Sequence, residues 1–160
     1  MLTEPTPEHE VAPVTLELAF QVRVDFHERI RFETPVGKRV YVPAAGGEIW
    51  GPRLNGKIVP RSGGDYADSY GLNAHYMLQA DDGAYIYLYN RGYLYRADGE
   101  DIPLDSPDWG GDAEHYFRIC PTFDAPSGTH EWLNRTLIIG RGDRKTEPSD
   151  HTVFTYYAVR

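Results

Sequence analysis

The 160-residue sequence predicts an all-β protein whose strands close into an antiparallel β-barrel. Three observations carry that expectation. Apolar and polar residues alternate with a period of two in several stretches, turn-forming Gly, Pro, Asn and Asp recur between them at short intervals, and no stretch has the 3.6-residue apolar period of an amphipathic helix. A closed, lipocalin-like barrel is favoured over an open sheet because closure removes strand edges and encloses a lumen.

Residues 1–13, MLTEPTPEHEVAP, are acidic and proline-rich and are expected to form a flexible tail ahead of a single domain at 14–160. Val14, Leu16, Leu18, Phe20, Val22 and Val24 alternate with polar neighbours and predict a long first strand. Arg39 to Val42 and Glu48 to Trp50 read as strands joined by a Pro43–Gly47 turn, and Leu54 to Val59 as a bent strand broken at Asn55-Gly56. Leu72, Ala74, Tyr76, Leu78 and Ala80 alternate again, and Asp81-Asp82-Gly83 turns the chain into a second strand from Ala84 to Tyr89. Asn90-Arg91-Gly92 then predicts another turn into Tyr93 to Arg96. The Asp-, Pro- and Gly-rich run from Ala97 to Gly111 reads as a long loop that could serve as a lid. Glu114 to Phe123, Trp132 to Ile139 and Val153 to Val159 complete the set of strands.

Composition excludes several function classes. A net charge of −8 with no basic cluster argues against nucleic-acid binding, and no segment has the run of apolar residues that a membrane span requires. Cys120 is the only cysteine, so no intrachain disulfide or cysteine-based zinc site can form. A core thiol in a reducing, cytoplasmic setting is expected. The six histidines lack metal-ligand spacing, and phosphate-loop, nucleophile-elbow and zinc-protease motifs are absent, so neither metal nor organic cofactor is expected. The anomaly is aromatic: 12 Tyr, 6 Phe and 3 Trp suit strand packing and equally suit a pocket for an aromatic or hydrophobic ligand.

Candidate site residues come from polar groups set among these strands. Arg118 interrupts an apolar strand, and a guanidinium there would need a carboxylate, either internal or from a substrate; Arg53, after Gly51-Pro52, poses the same choice. Tyr87 and Tyr116, mid-strand, could act as general acids or bases if their hydroxyls face a dry lumen. Asp65, after two glycines, is either a turn residue or a proton acceptor at the barrel mouth. His75 is either a solvent-facing histidine or a proton shuttle. Trp132 and Trp50 offer rings for stacking, and Asn134 an amide to orient a ligand oxygen.

The blocks Gly37-Lys38-Arg39 to Pro43, Gly46-Gly47 to Gly51-Pro52, Gly64-Asp65, the Tyr76 strand, Asp81-Asp82-Gly83-Ala84 through Ile86-Tyr87 to Asn90-Arg91-Gly92, Tyr116-Phe117-Arg118, Phe123 and Trp132-Leu133-Asn134 occur in an informative order. Together they resemble the domain of unknown function 3237 family, also called uncharacterised protein family UPF0311, over residues 14 to 159. The resemblance implies a closed barrel similar to that of allene oxide cyclase, whose relatives shape reactive hydrophobic or phenolic molecules without metal or organic cofactor. His75 stands where the family usually has arginine, and Tyr66 where it usually has tryptophan, which points to a different ligand. The expected function is a cofactor-independent lyase or isomerase acting on a small phenolic or aromatic carboxylic acid in the lumen. A non-catalytic barrel that binds such a metabolite, and a filled structural barrel, are the alternatives. Aromatic outer faces are compatible with a homo-oligomer.

Overall fold

The structure, a computed structural model, describes residues 11–68, 71–100 and 114–160. Its strands are β1 (Leu16–Phe26), β2 (Ile30–Thr34), β3 (Gly37–Trp50), β4 (Gly56–Ile58), β5 (Gly64–Asp68), β6 (Leu72–Ala80), β7 (Tyr85–Arg96), β8 (His115–Ile119), β9 (Thr122–Asp124), β10 (Ile138–Lys145) and β11 (His151–Val159). All belong to one sheet, and every pairing is antiparallel. From β1 the ring runs through β11, β10, β8, β7, β6 and β5 to β3, and back to β1, giving a closed eight-stranded barrel. Two positions in it are shared. β4 and β5 both bridge β3 to β6, while β9 extends the line of β8 along β7. β2 forms an outer hairpin with β3.

Residue pattern explains where the strands depart from expectation. In β1 the register shifts between Leu18 and Phe20, so Ala19 and Phe20 are both buried and Leu16 and Leu18 face outward. This bulge aims Phe20, Val22, Val24 and Phe26 into the lumen. The expected Pro43–Gly47 turn is instead the interior of a single strand, β3. Gly47 has φ +155°, and a Cβ there would lie 1.8 Å from the Arg23 carbonyl oxygen, so its glycine serves close strand contact rather than chain reversal.

The Asn90-Arg91-Gly92 turn is likewise replaced by an unbroken β7, in which a Cβ on Gly92 would lie 2.2 Å from the Arg118 carbonyl oxygen. Cys120-Pro121 splits the expected 114–123 strand into β8 and β9, consistent with the donor that proline lacks, and Cys120 is exposed rather than in the core. Trp132 to Asn134, read as the start of a strand, lie instead in a turn of 3-10 helix, Glu131–Asn134. β2 was not anticipated. Most of the expected 97–111 loop and all but 11–13 of the tail lie outside the described residues.

The lumen holds a buried aromatic cluster. Phe20 lies 5.0 Å from Tyr156 and meets Phe123 and Trp132 edge-on at 6.0 and 6.4 Å, and Phe117 meets Phe154 at 5.5 Å. Each such ring contributes roughly 1.5–3 kcal/mol by leaving water. Trp132 and Leu133 of the 3-10 turn bring this packing to one end of the barrel. The opposite end is polar. Among the described residues, no helix is long and apolar enough to cross a membrane.

Candidate active site

The cross-strand register sets Val42, Asp65, Ala74 and Asn90 in one row across β3, β5, β6 and β7. All four are buried. Alanine between the two polar residues leaves their side chains unobstructed, with the backbones two strand spacings, about 10 Å, apart. Tyr76, two residues along β6 from Ala74, points inward with them and is fully buried. Tyr156 of β11 completes the group: the Asn90 side-chain amide donates to its hydroxyl at 3.3 Å.

These groups are incompletely bonded. Asp65 Oδ1, Tyr76 Oη and Asn90 Oδ1 are buried without a hydrogen-bond partner. Each such atom costs about 1–3 kcal/mol if left dry, so three in one lumen call for a water or a ligand group as partner.

Two cations stand at the mouth of this region. Arg144 follows Gly140 and Gly142 on the inward face of β10, opposite Thr152, and its side chain is largely buried. Arg29, from the connection between β1 and β2, lies over the Phe26 ring at 5.6 Å and grips Asp150 through Nε and Nη2 at 2.9–3.0 Å. Arg144 binds the same carboxylate. Both guanidiniums also act electrostatically on Asp65. They line an open cleft of about 460 Å³ with His27, Arg31 and Thr146, and Glu28 stands in the same cleft.

Electrostatics set the protonation of the inner groups. Burial raises the Asp65 carboxyl from 3.8 to about 7, against the downward pull of Arg29 and Arg144, with Asp150 adding to the rise. Asp65 is therefore close to half-protonated at neutral pH. Burial, and then the charge of Asp65, hold the Tyr156 hydroxyl far above its usual range, so it remains a neutral donor. For Asp150, burial pushes up, but the bond from Arg144 and the charges of Arg29 and Arg144 prevail and keep it below the ordinary value.

Of the residues singled out in the sequence, Asp65 alone enters this group. Tyr87, Tyr116 and His75 project from the outer face, not the lumen, because they alternate with the buried Ile86, Leu88, Phe117, Ala74 and Tyr76. His75 Nδ1 is hydrogen-bonded to the Tyr87 hydroxyl, and its ring stacks on Tyr89 at 4.3 Å. Arg118 is exposed, not buried: it donates to its neighbour's carbonyl, Phe117 O, at 3.0 Å and lies over Tyr116 at 5.0 Å. Trp50 is also outside, donating to Gln21 Oε1 at 3.0 Å, and borders an outer cleft of about 610 Å³ with Glu48, Lys57 and Gln79.

Arg53 and Trp132 do meet, the guanidinium 3.6 Å from the ring centroid, but at the end opposite Asp65. The Arg53 amide donates to Ala19 O, whereas the row bearing Asp65 begins beyond Phe26, seven residues along β1 and roughly 23 Å away. A pairing between Arg53 and Asp65 is therefore ruled out. Asn134 is spent on structure: its side chain bonds both Ala125 N and Ala125 O at 2.8 Å.

The inward residues that sequence reasoning passed over are Arg29, Tyr76, Asn90, Arg144, Asp150 and Tyr156. Strand parity carried a signal for two of them, since Tyr156 alternates in phase with Phe154 and Ala158, and Tyr76 with Ala74 and Leu78. Asn90 was hidden by its turn-like neighbours. Arg29, Arg144 and Asp150 come together only through the tertiary path of the chain.

Comparisons with known proteins agree with this architecture. A UPF0311 protein of Clostridium acetobutylicum is 31% identical over 120 residues, covering 70% of this chain and 73% of its own length. A solved β-barrel-like protein of Acinetobacter baumannii superimposes with a TM-score of 0.78 at 26% identity, covering 95% of this chain and 99% of that one. A structure described as an enzyme from Penicillium herquei shares the fold with a TM-score of 0.67 at 19% identity, covering 94% of this chain and 98% of its own. The family described as "Protein of unknown function (DUF3237)" matches residues 14–159, and the chain belongs to that family.

Proposed function

We propose that the barrel is a cofactor-independent lyase or isomerase for a small phenolic or aromatic carboxylic acid, with Asp65 as its proton-transfer group. The observation that carries this reading is a buried carboxyl, titrating at about 7, beside the unpartnered Tyr76 Oη and Asn90 Oδ1. Arg29 and Arg144 supply positive charge toward a substrate carboxylate, and Phe117, Phe154 and Tyr156 supply aromatic walls. That a protein of the same fold is described as an enzyme supports the fold's capacity for chemistry and nothing finer.

Ionised Asp65 takes a proton from the substrate phenol or from an acidic carbon. The electron pair stays on oxygen or moves into the conjugated system, giving a phenolate or dienolate whose oxygen is met by the Tyr156 or Tyr76 hydroxyl; a quinone methide follows only when that pair expels a departing group. Protonated Asp65 then returns that proton. Delivery to a different carbon completes an isomerisation with no net proton change. Delivery to a departing group completes an elimination.

Phenolic and aromatic carboxylic acids followed by ultraviolet absorbance and mass spectrometry test this reading. Turnover by the wild type should fall about 10²–10⁴-fold in Asp65→Asn, with ligand affinity retained within about tenfold. Tight binding without turnover in the wild type would move the protein to the carrier class. Full turnover by Asp65→Asn would remove Asp65 from the mechanism.

A further inference from the structure

The outward positions of β7 read Tyr85, Tyr87, Tyr89, Arg91, Tyr93 and Tyr95, a stripe spanning ten residues, or roughly 33 Å. Register brings Tyr66 of β5 beside it through Asn73, and Tyr116 and Arg118 of β8 opposite Tyr95 and Tyr93. The outward faces of β7 and β8 carry no carboxylate, in a chain whose net charge is −8. Exposed Asp124 of β9 stands opposite Tyr87 at the edge of the stripe, and a tyrosine and arginine centre with a charged rim is the composition of a protein interface rather than of solvent-facing sheet.

We propose that this stripe is the contact of a two-fold homodimer. Tyr85, Tyr87, Tyr93, Tyr95 and Tyr116 are each 37–67% exposed, which amounts to roughly 600 Å² of accessible tyrosine surface, the larger part of the ~800 Å² per partner that stable dimers bury. The pattern is also self-complementary. Turned end for end about its midpoint, the stripe sets Arg91 over Tyr89 of the partner subunit and receives the reciprocal contact, while Tyr85 faces the Tyr95 end and Tyr87 the Tyr93 position. The chain already makes that contact internally, with Arg91 5.3 Å from the Tyr89 ring and Arg118 5.0 Å from the Tyr116 ring.

Several of these side chains are held in place before association. His75 is bonded to Tyr87 and stacked on Tyr89, Tyr89 donates to Asn73 at 3.0 Å, Tyr95 stacks on Tyr116 at 4.9 Å, and Tyr66 on Tyr41 at 4.6 Å. Rings fixed in this way lose little rotamer freedom at an interface.

Sedimentation velocity of the full chain tests the proposal. The wild type should sediment as a dimer at about 50 μM, well above the micromolar Kd that such an interface supports, and Tyr85→Glu/Tyr93→Glu should sediment as a monomer with an unchanged far-ultraviolet spectrum. Hydroxyl-radical footprinting of the unmodified protein gives a second readout that no variant can confound: oxidation of Tyr85 and Tyr93 should drop severalfold between dilute and concentrated samples. A monomeric wild type at that concentration, an unaltered dimer in the double variant, or equal oxidation at both concentrations would overturn it. So would a monomer whose stripe is instead protected by single-stranded RNA or a polysaccharide.

Discussion

Replacing Asp65 with asparagine should remove the pH dependence that one buried carboxyl imposes on folding. In the native barrel this group titrates at about 7, and in the unfolded chain at its ordinary 3.8. Below 3.8 both states hold the proton. Between 3.8 and 7 only the native state holds it, so stability declines by about 1.4 kcal/mol for each pH unit as pH rises. Above 7 both states are ionised, and the contribution, about 4 kcal/mol in all, is lost. Asp65 is only 9% exposed, so solvent screening does not erase the effect. Between pH 5 and pH 8 the wild type should therefore lose about 3 kcal/mol through Asp65, whereas asparagine cannot ionise and loses none of it. Urea unfolding of both proteins at pH 5, 6, 7 and 8 measures the difference directly. The stability of Asp65→Asn relative to wild type should grow across that range and level off above 7. A difference that is flat with pH, or that shrinks, would refute the buried, raised carboxyl and with it the proton-transfer role built on it.

Further perturbations follow from the same geometry. Arg29→Gln removes the larger of the two positive charges acting on Asp65 and should move its titration above about 7, read by carboxyl-carbon NMR; a fall would contradict the assigned field. Tyr156→Phe leaves the ring packed on Phe20 but strips the Asn90 amide of its acceptor, and should cost about 1–3 kcal/mol in chemical denaturation, whereas a neutral result would mean that bond carries no weight. Gly47→Ala forces a methyl to within 1.8 Å of the Arg23 carbonyl oxygen and should abolish the folded state or lower the melting temperature by roughly 10 °C or more, since a cost of about 4–5 kcal/mol converts at about 2–4 °C for each kcal/mol in domains of this size. A melt close to that of the wild type would show that β1 and β3 can separate there without loss.

The strand hydrophobicity of this chain was readable from alternation alone. Leu72 to Ala80 and Val153 to Val159 behave as their period of two demands, and the Asp81-Asp82-Gly83 hairpin forms where its turn residues stand. Glycines were the source of error. Gly47 and Gly92 look like turn residues in sequence, yet each sits in an unbroken strand because a neighbouring backbone passes too close for a side chain. Local sequence does not distinguish a glycine needed for bending from one needed for proximity.

The same boundary separates the tyrosines. Composition and alternation alone determined that this is an aromatic-rich, all-strand chain, because side-chain period and turn chemistry are local properties. Which face of each strand closes on the lumen, and so sends Tyr156 and Asn90 inward while Tyr87, Tyr116 and Arg118 stay outside, depended on a bulge in β1 and on the register of strands far apart in sequence. Asp65 stood out early only as an acid after two glycines. Its raised titration and its place opposite Arg29 and Arg144 were decided by tertiary structure, because desolvation and charge proximity do not exist until the barrel closes.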